Sequence, residues 1–240
     1  MAQEVYNLRQ AAEHVHMDAN DLRHAAQRGE VAADERGGDW YFRHRELDEW
    51  AQREFLAADA REQTRRHGVI LGENRRLNRD DWRIWELFRP SGVELALPSK
   101  AKAGAIRDMC ELAGRTGSVY DAEGLFAELK EREEAASTAV GEGAAFLHPR
   151  FHDPYLFEDT FIAYGRSARG VFFGSPDGGA TRHFFLICAT DHELHLHILA
   201  RLAILAHATD FLAALDAADS PESAIAAVRS AEEDLVSSIR

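Results

Sequence analysis

The sequence has 240 residues, 45% of them hydrophobic and 29% charged, and a formal net charge of −13. That length exceeds what most single cores fill and suits two domains, one small and one of ordinary size, in a soluble globular protein. No apolar run approaches the ~18 residues of a membrane span, and the start, MAQEVYNLRQAAEHV, lacks the basic residues and apolar stretch of a signal peptide, so a cytoplasmic protein without a membrane span is expected.

Charge is spread unevenly. Residues 1–60 carry a net −6, residues 61–90 a net +3 and residues 91–240 a net −10, so only the middle segment is basic. Cys110 and Cys188 form no CxxC and sit in apolar contexts, which predicts buried, reduced thiols.

In chain order, the first sixty residues read as helix, helix, hairpin, helix. Leu8, Ala11, Ala12 and Val15 repeat at helical spacing. Asp18 or Asn20 caps a second helix carrying Leu22, Ala25 and Ala26, which stops at Gly29. VAADERGGDWYF gives two short strands around a Gly37-Gly38 turn. RHRELDEWAQREFL closes the unit as a helix with Leu47, Trp50 and Phe55 inward.

This order resembles the winged helix-turn-helix of the MerR/excisionase family, through NLRQAAEHVHMDANDLRHAAQRGEV for the two helices and WYFRHRELDEW for the end of the wing. The resemblance implies that Arg23, His24, Gln27 and Arg28 face the major groove of DNA and that Arg43 and Arg45 reach phosphates. Two features depart from that pattern. Ala25 stands where the recognition helix usually carries a bulky aromatic, and the module is acidic although phosphate neutralisation supplies most DNA affinity. A fold retained for protein docking is the alternative.

Residues 61–92 read as a basic linker with some helix, in which the arginines of RRHGVILGENRRLNRDDWRIWELF alternate with Trp82, Trp85 and Phe88. Such a connector either supplies phosphate contacts or forms a solvated helix with one edge packed.

From Val93 to Arg240 the pattern becomes that of an α/β layered domain, with a mixed sheet flanked by helices. SKAKAGAIRDMCELAGRTG and DAEGLFAELKEREEAAST read as helices, the second capped by Asp121. GAAFLH, TFIAYG, GVFF and HFFLICA read as strands, and DHELHLHILARLAILAH, TDFLAAL and SPESAIAAVRSAEEDLVSSI as helices. There is no internal repeat.

Of the twelve histidines, His44, His67 and His207 read as solvated. His192 and His195 share a helical face while His197 points elsewhere, and no cysteine or acidic residue completes a ligand set, so no metal site and no cofactor is expected. His148 ends the strand AAFLH, where sites gather, after small residues (Gly141, Gly143, Ala144, Ala145) that let another surface approach. A neutral imidazole near pH 7 suits transient phosphorylation, and a phosphoryl group then needs a fixed cation and hydrogen-bond donors. Spacing alone leaves a packed or solvated histidine as the alternative.

The stretch REEAASTAVGEGAAFLHPR is similar to the active-site region of the mannitol/fructose-type enzyme IIA domains of the bacterial phosphotransferase system, which include the nitrogen-regulatory members. Arg132, Glu133, Ser137, Thr138, Gly141, Gly143, His148 and Arg150 fill the family positions. GVFFGSPDGGATRHFFLICA and DHELHLHILARLAIL extend the similarity, the latter supplying the second family histidine at His195. The resemblance implies that His148 accepts a phosphoryl group from the histidine-containing phosphocarrier protein, that His195 orients its ring, and that Arg132 is the charge partner. It implies phosphate contacts from Thr138, Ser137 and Arg150. The chain departs from the family in having Leu147 before the histidine, where proline is usual, and Pro149 after it. A regulatory phosphocarrier is the first reading. A transcription regulator with a sensing IIA domain, or a scaffold that binds a kinase or transporter, is the alternative. No IIB or IIC segment follows, so sugar uptake by this chain alone is not expected.

Overall fold

The structure is a computed structural model that describes residues 5–15, 17–57, 83–150 and 155–239. The chain divides into two compact units, residues 1–74 and 75–240.

In the first unit, strand β1 (Val5–Asn7) leads into helix α1 (Leu8–His14). Asn7 caps it reciprocally: its side chain accepts from the Gln10 N–H while its own N–H donates to the Gln10 side chain. Helix α2 (Ala19–Gln27) is capped by Asp18, whose carboxylate accepts from the N–H groups of Asn20 and Asp21, and Gly29 beyond its end takes φ +72°. Strands β2 (Asp34–Arg36) and β3 (Asp39–Arg43) are joined through Gly37 and Gly38, with φ of +64° and +88°, the left-handed pair a two-residue hairpin turn requires. Strand β1, which the sequence pattern did not predict, pairs antiparallel with the other side of β3. Helix α3 (His44–Ala57) then turns Leu47 and Trp50 onto a core of Ala11, Leu22, Ala25, Val31 and Phe42. The Phe55 side chain lies outside the described residues.

The second unit begins earlier than the pattern suggests. A 3-10 turn, Ile84–Leu87, runs into β4 (Phe88–Leu97), so residues 83–92 belong to this fold and not to a linker; residues 61–82, with Trp82, lie outside the described ones. The N–H groups of Ile84 and Trp85 donate to the two oxygens of Glu232, which is fully buried, with Arg201 3.6 Å away. Burial pushes the Glu232 carboxyl up, opposed by these two N–H groups and Arg201.

Helices α4 (Lys102–Gly114) and α5 (Ala122–Ala135), the latter capped by Asp121, precede strands β5 (Ala139–Gly141) and β6 (Ala144–Leu147). Two long strands follow, β7 (Phe161–Val171) and β8 (Thr181–Cys188), then helices α6 (His192–Ala208), α7 (Phe211–Ala217) and α8 (Pro221–Ile239). The sheet order is β4-β7-β8-β6-β5. Strands β4 and β7 are parallel, as are β6 and β8; β7–β8 and β5–β6 are antiparallel.

Side chains alternate across this sheet. Ala145, Leu147, Phe184 and Leu186 meet Met109, Leu112, Leu125 and Leu129 on one face. Phe185, on the other, stacks on Phe211 and meets Phe88 and Phe146 edge-on. Burial on both faces explains why β6 and β8 read as continuous apolar runs. Cys110 and Cys188 are free and buried, and burial pushes the Cys110 thiol up to about 12.

Candidate functional site

Because β6 and β8 run parallel, with Leu147 opposite Leu186, their carboxyl ends lie at the same sheet edge. His148 follows β6 directly, and α6 starts four residues after β8 with Asp191 as its cap, accepting from the Leu194 N–H. Topology therefore brings His148 and His195 together across 47 residues of sequence. Their rings lie edge to face with centroids 4.9 Å apart, at 1% and 2% exposure.

The proton on His148 is fixed by its neighbours. Nδ1 lies 2.8 Å from the carbonyl of Phe146, which can only accept, so Nδ1 carries the hydrogen. Nε2 then holds the lone pair and accepts from Arg132 Nε at 3.2 Å. Arg132, 4% exposed in the last turn of α5, also donates from its terminal nitrogen to the Ala136 carbonyl at 2.9 Å, which fixes the guanidinium plane. A neutral ring nitrogen thus stands beside a buried, oriented cation, an arrangement that favours an incoming anion.

The remaining predicted phosphate ligands have other attachments. The Thr138 hydroxyl and N–H both donate to one oxygen of Glu133, at 2.6 and 2.9 Å. Its one hydroxyl proton is therefore committed to a carboxylate and is not directed at a phosphate. Ser137 donates to the Phe173 carbonyl, and Arg150 pairs with Glu131 at 2.7 Å. Gly141 and Gly143 correct another expectation. With Glu142 they take φ of +93°, +77° and +50° and form the β5–β6 turn, at the opposite end of β6 from His148. Asp177 braces that turn by accepting from the Glu142 N–H; with Ser175 first and Gly179 next, these bonds hold its carboxyl below the usual range.

Pattern reading assigned no role to Glu133 and passed over Lys102. Glu133, 4% exposed, takes Lys102 on its second oxygen at 2.8 Å, and the Lys102 ammonium also lies 5.1 Å from the centre of the Phe173 ring. Three segments are tied by this carboxylate: α4, α5 and Thr138 just before β5, whose carbonyl in turn accepts from the Phe146 N–H of β6. Leu147, before the histidine, is buried in the core face, and Pro149, after it, is buried as well.

The family model described as "Phosphoenolpyruvate-dependent sugar phosphotransferase system, EIIA 2" matches residues 86–231, more than half of the chain. The chain belongs to this EIIA family. It is 33% identical over 113 residues to the fructose-specific EIIA component of Haloferax volcanii, covering 46% of this chain and 71% of that protein. It is 32% identical over 125 residues to the fructose-specific EIIABC component of Bacillus subtilis; this covers 51% of the chain and spans only 19% of that longer protein. The nitrogen regulatory protein IIA-Ntr from Neisseria meningitidis shares the fold, with a TM-score of 0.55 at 24% identity over 60% of this chain and 98% of that one. His148, His195 and Arg132 all lie inside the matched EIIA region. Among the described residues, no single helix is long and apolar enough to cross a membrane.

Outside the EIIA region, Arg23, His24, Gln27 and Arg28 are exposed on one side of α2. Arg23 and Gln27 line a groove with Asn7, Arg9, Glu35 and Trp40. Arg28, however, is held by both oxygens of Glu30, and Arg43 by Glu46 and Asp34. Those two cations are already paired, which lowers what each can offer a phosphate. Arg45 is half-buried. His44, read from sequence as solvated, packs instead against Tyr6 and His14.

Proposed function

We propose that the EIIA domain is a phosphocarrier whose acceptor atom is Nε2 of His148. The observation that carries this is the paired bonding of one ring: Nδ1–H held by the Phe146 carbonyl, Nε2 facing Arg132. The donor is the phosphohistidine of the histidine-containing phosphocarrier protein. The Nε2 lone pair attacks phosphorus, the N–P bond to the donor ring breaks, and the electron pair stays with the departing imidazole. Positive charge that develops on the His148 ring is stabilised through Nδ1–H by the carbonyl, and the phosphoryl oxygens are met by the Arg132 guanidinium. His195 packs against the ring and limits its rotation. Thr138, anchored by Glu133, positions the strand that leads to His148 through its carbonyl, which accepts from the Phe146 N–H, and Arg150 and Ser137 have supporting roles.

Within this reading the regulatory form of the family fits better than a dedicated uptake protein, since the EIIA region is preceded by a separate unit. That unit, residues 1–60, is proposed to be a MerR/excisionase-like winged helix-turn-helix, supported by the capped α1–α2 pair followed by the Gly37-Gly38 hairpin. Residues 61–82 would connect it to the EIIA fold. If the target is DNA, residues of α2 led by Arg23 would make the contact; a kinase or transporter bound through an apolar face is the alternative regulatory target.

The test is incubation with enzyme I, the phosphocarrier protein and phosphoenolpyruvate, followed by mass spectrometry at neutral pH. One acid-labile phosphoryl group per chain is expected. Failure to take up any would overturn the reading.

A further inference from the structure

The first unit holds a second pair of facing imidazoles. His14 ends α1, while His44 opens α3 and Asp48 follows it by one helical turn, which puts the last two on one face. Asp48 lies between the rings. Its Oδ1 is 2.7 Å from His14 Nε2 and its Oδ2 is 3.4 Å from His44 Nε2. The imidazole centroids are 4.8 Å apart, and the Tyr6 ring backs both at 5.0 and 5.3 Å. One ligand atom from each of the three side chains fits within a mutual 4.8 Å. His14 and Asp48 are each 17% exposed and His44 37%, so the cluster is recessed but open to small solutes.

One donor atom from each of these side chains lies close to the spacing of a coordination sphere. A tetrahedral centre with bonds of ~2.0–2.1 Å keeps its ligand atoms roughly 3.3–3.5 Å apart. The two Asp48 contacts use different carboxylate oxygens, so rotation of the carboxylate would present one oxygen to both nitrogens, within the mutual 4.8 Å that one donor atom from each side chain already keeps. Two imidazole nitrogens and one carboxylate suit zinc and its first-row neighbours; magnesium and calcium take all-oxygen sets.

We propose that His14, His44 and Asp48 bind one divalent transition-metal ion of the zinc class, with solvent in the fourth position. The ion ties the end of α1 to the start of α3. Because the unfolded chain has no such preformed site, occupancy stabilises the first unit. This inference is independent of the phosphocarrier reading.

The test uses the full chain, stripped with a chelator and titrated first with Co2+ by visible absorption and then with Zn2+ by calorimetry. One Co2+ per chain with the intense visible bands of a four-coordinate site is expected, displaced by Zn2+. Because losing even an outer-shell partner costs a metal site 10–100-fold, His44→Gln and Asp48→Asn should each weaken binding by on the order of tenfold or more. His207→Gln, which removes a ring bonded to the Ala203 carbonyl near the end of α6, should change nothing. Circular dichroism checks that the variants fold. Paramagnetic broadening of the His14 and His44 ring resonances by Co2+ in the unsubstituted protein gives a readout that needs no variant. Absence of broadening at both rings, or equal affinity in folded His44→Gln and Asp48→Asn, would overturn the proposal.

Discussion

Each unit contains two imidazoles in contact, at 4.9 Å between His148 and His195 and 4.8 Å between His14 and His44, but the charge set against them differs. The EIIA pair is almost wholly buried and faces the Arg132 guanidinium. The N-terminal pair is partly exposed and clasps the Asp48 carboxylate. Ring spacing alone therefore says little about chemistry. A fixed cation makes a histidine pair a receiver of anions, and a carboxylate makes it a receiver of cations. Burial widens the gap, since the guanidinium's field is least screened where water is excluded.

The most severe way to break this contrast is to remove the acceptor. His148→Ala should abolish labelling by the phosphocarrier protein, measured by mass spectrometry, whereas His14→Ala should leave labelling intact. Equal loss in both would mean that the pairs are not distinct. Removing the cation comes next. Arg132→Ala should cost about 2–4 kcal/mol of transition-state stabilisation, the scale of one preorganised charge partner. Arg132→Lys should restore only part of the rate, because lysine lacks the fixed fork that reaches Nε2 and the Ala136 carbonyl together. Single-turnover transfer rates check both.

A third histidine sharpens the role of burial. His183 is 3% exposed, its Nδ1 lies 2.9 Å from the Tyr164 hydroxyl, and burial lowers its pKa to about 4 against an ordinary 6.5, with Asp216 opposing the shift. Between those values the unfolded chain binds the extra proton and the folded chain does not. The stabilisation is thus complete above pH 6.5, declines as pH falls toward 4 and levels off below it. The loss amounts to about 3 kcal/mol for such a shift. Denaturant unfolding of the EIIA domain across that range should show it, and His183→Phe should flatten it.

The smallest expected effect lies in the first unit. If α2 contacts DNA, Arg23→Ala should weaken binding more than Arg28→Ala, because Arg28 is already neutralised by Glu30. Arg45→Ala, which would remove a phosphate contact, should reduce the salt slope by about 1. Mobility shifts at two salt concentrations measure both quantities, and identical behaviour of Arg23→Ala and Arg28→Ala would show that the pairing does not matter.

The legible parts of the fold were those whose signal is local. Strands β6 and β8 announced themselves as runs of apolar and aromatic residues because they are covered on both faces, and the Gly37-Gly38 turn by the φ it demands, whereas β7 was read as two strands, TFIAYG and GVFF, because its middle carries the exposed Ala168 and Arg169. Strand β4 stayed hidden because it carries Pro90 and Gly92, which read as breakers; as the edge strand of its sheet, it tolerates a residue without an N–H. Strands β1 and β5, three residues each, are too short to show a period. At the site, family resemblance named His148, His195 and Arg132, which spacing alone did not join. Glu133–Thr138 and His44–Asp48 are local pairs, but Lys102 and His14 join them from elements distant in sequence, and no local pattern marks those tertiary contacts.

The central claim concerns one atom, and nitrogen NMR reads it directly. The uniformly 15N-labelled chain, phosphorylated with enzyme I, the phosphocarrier protein and phosphoenolpyruvate, should show phosphorus coupled to Nε2 of His148 while Nδ1 keeps its proton. Phosphorus on Nδ1, on His195 or on no ring at all would contradict the account.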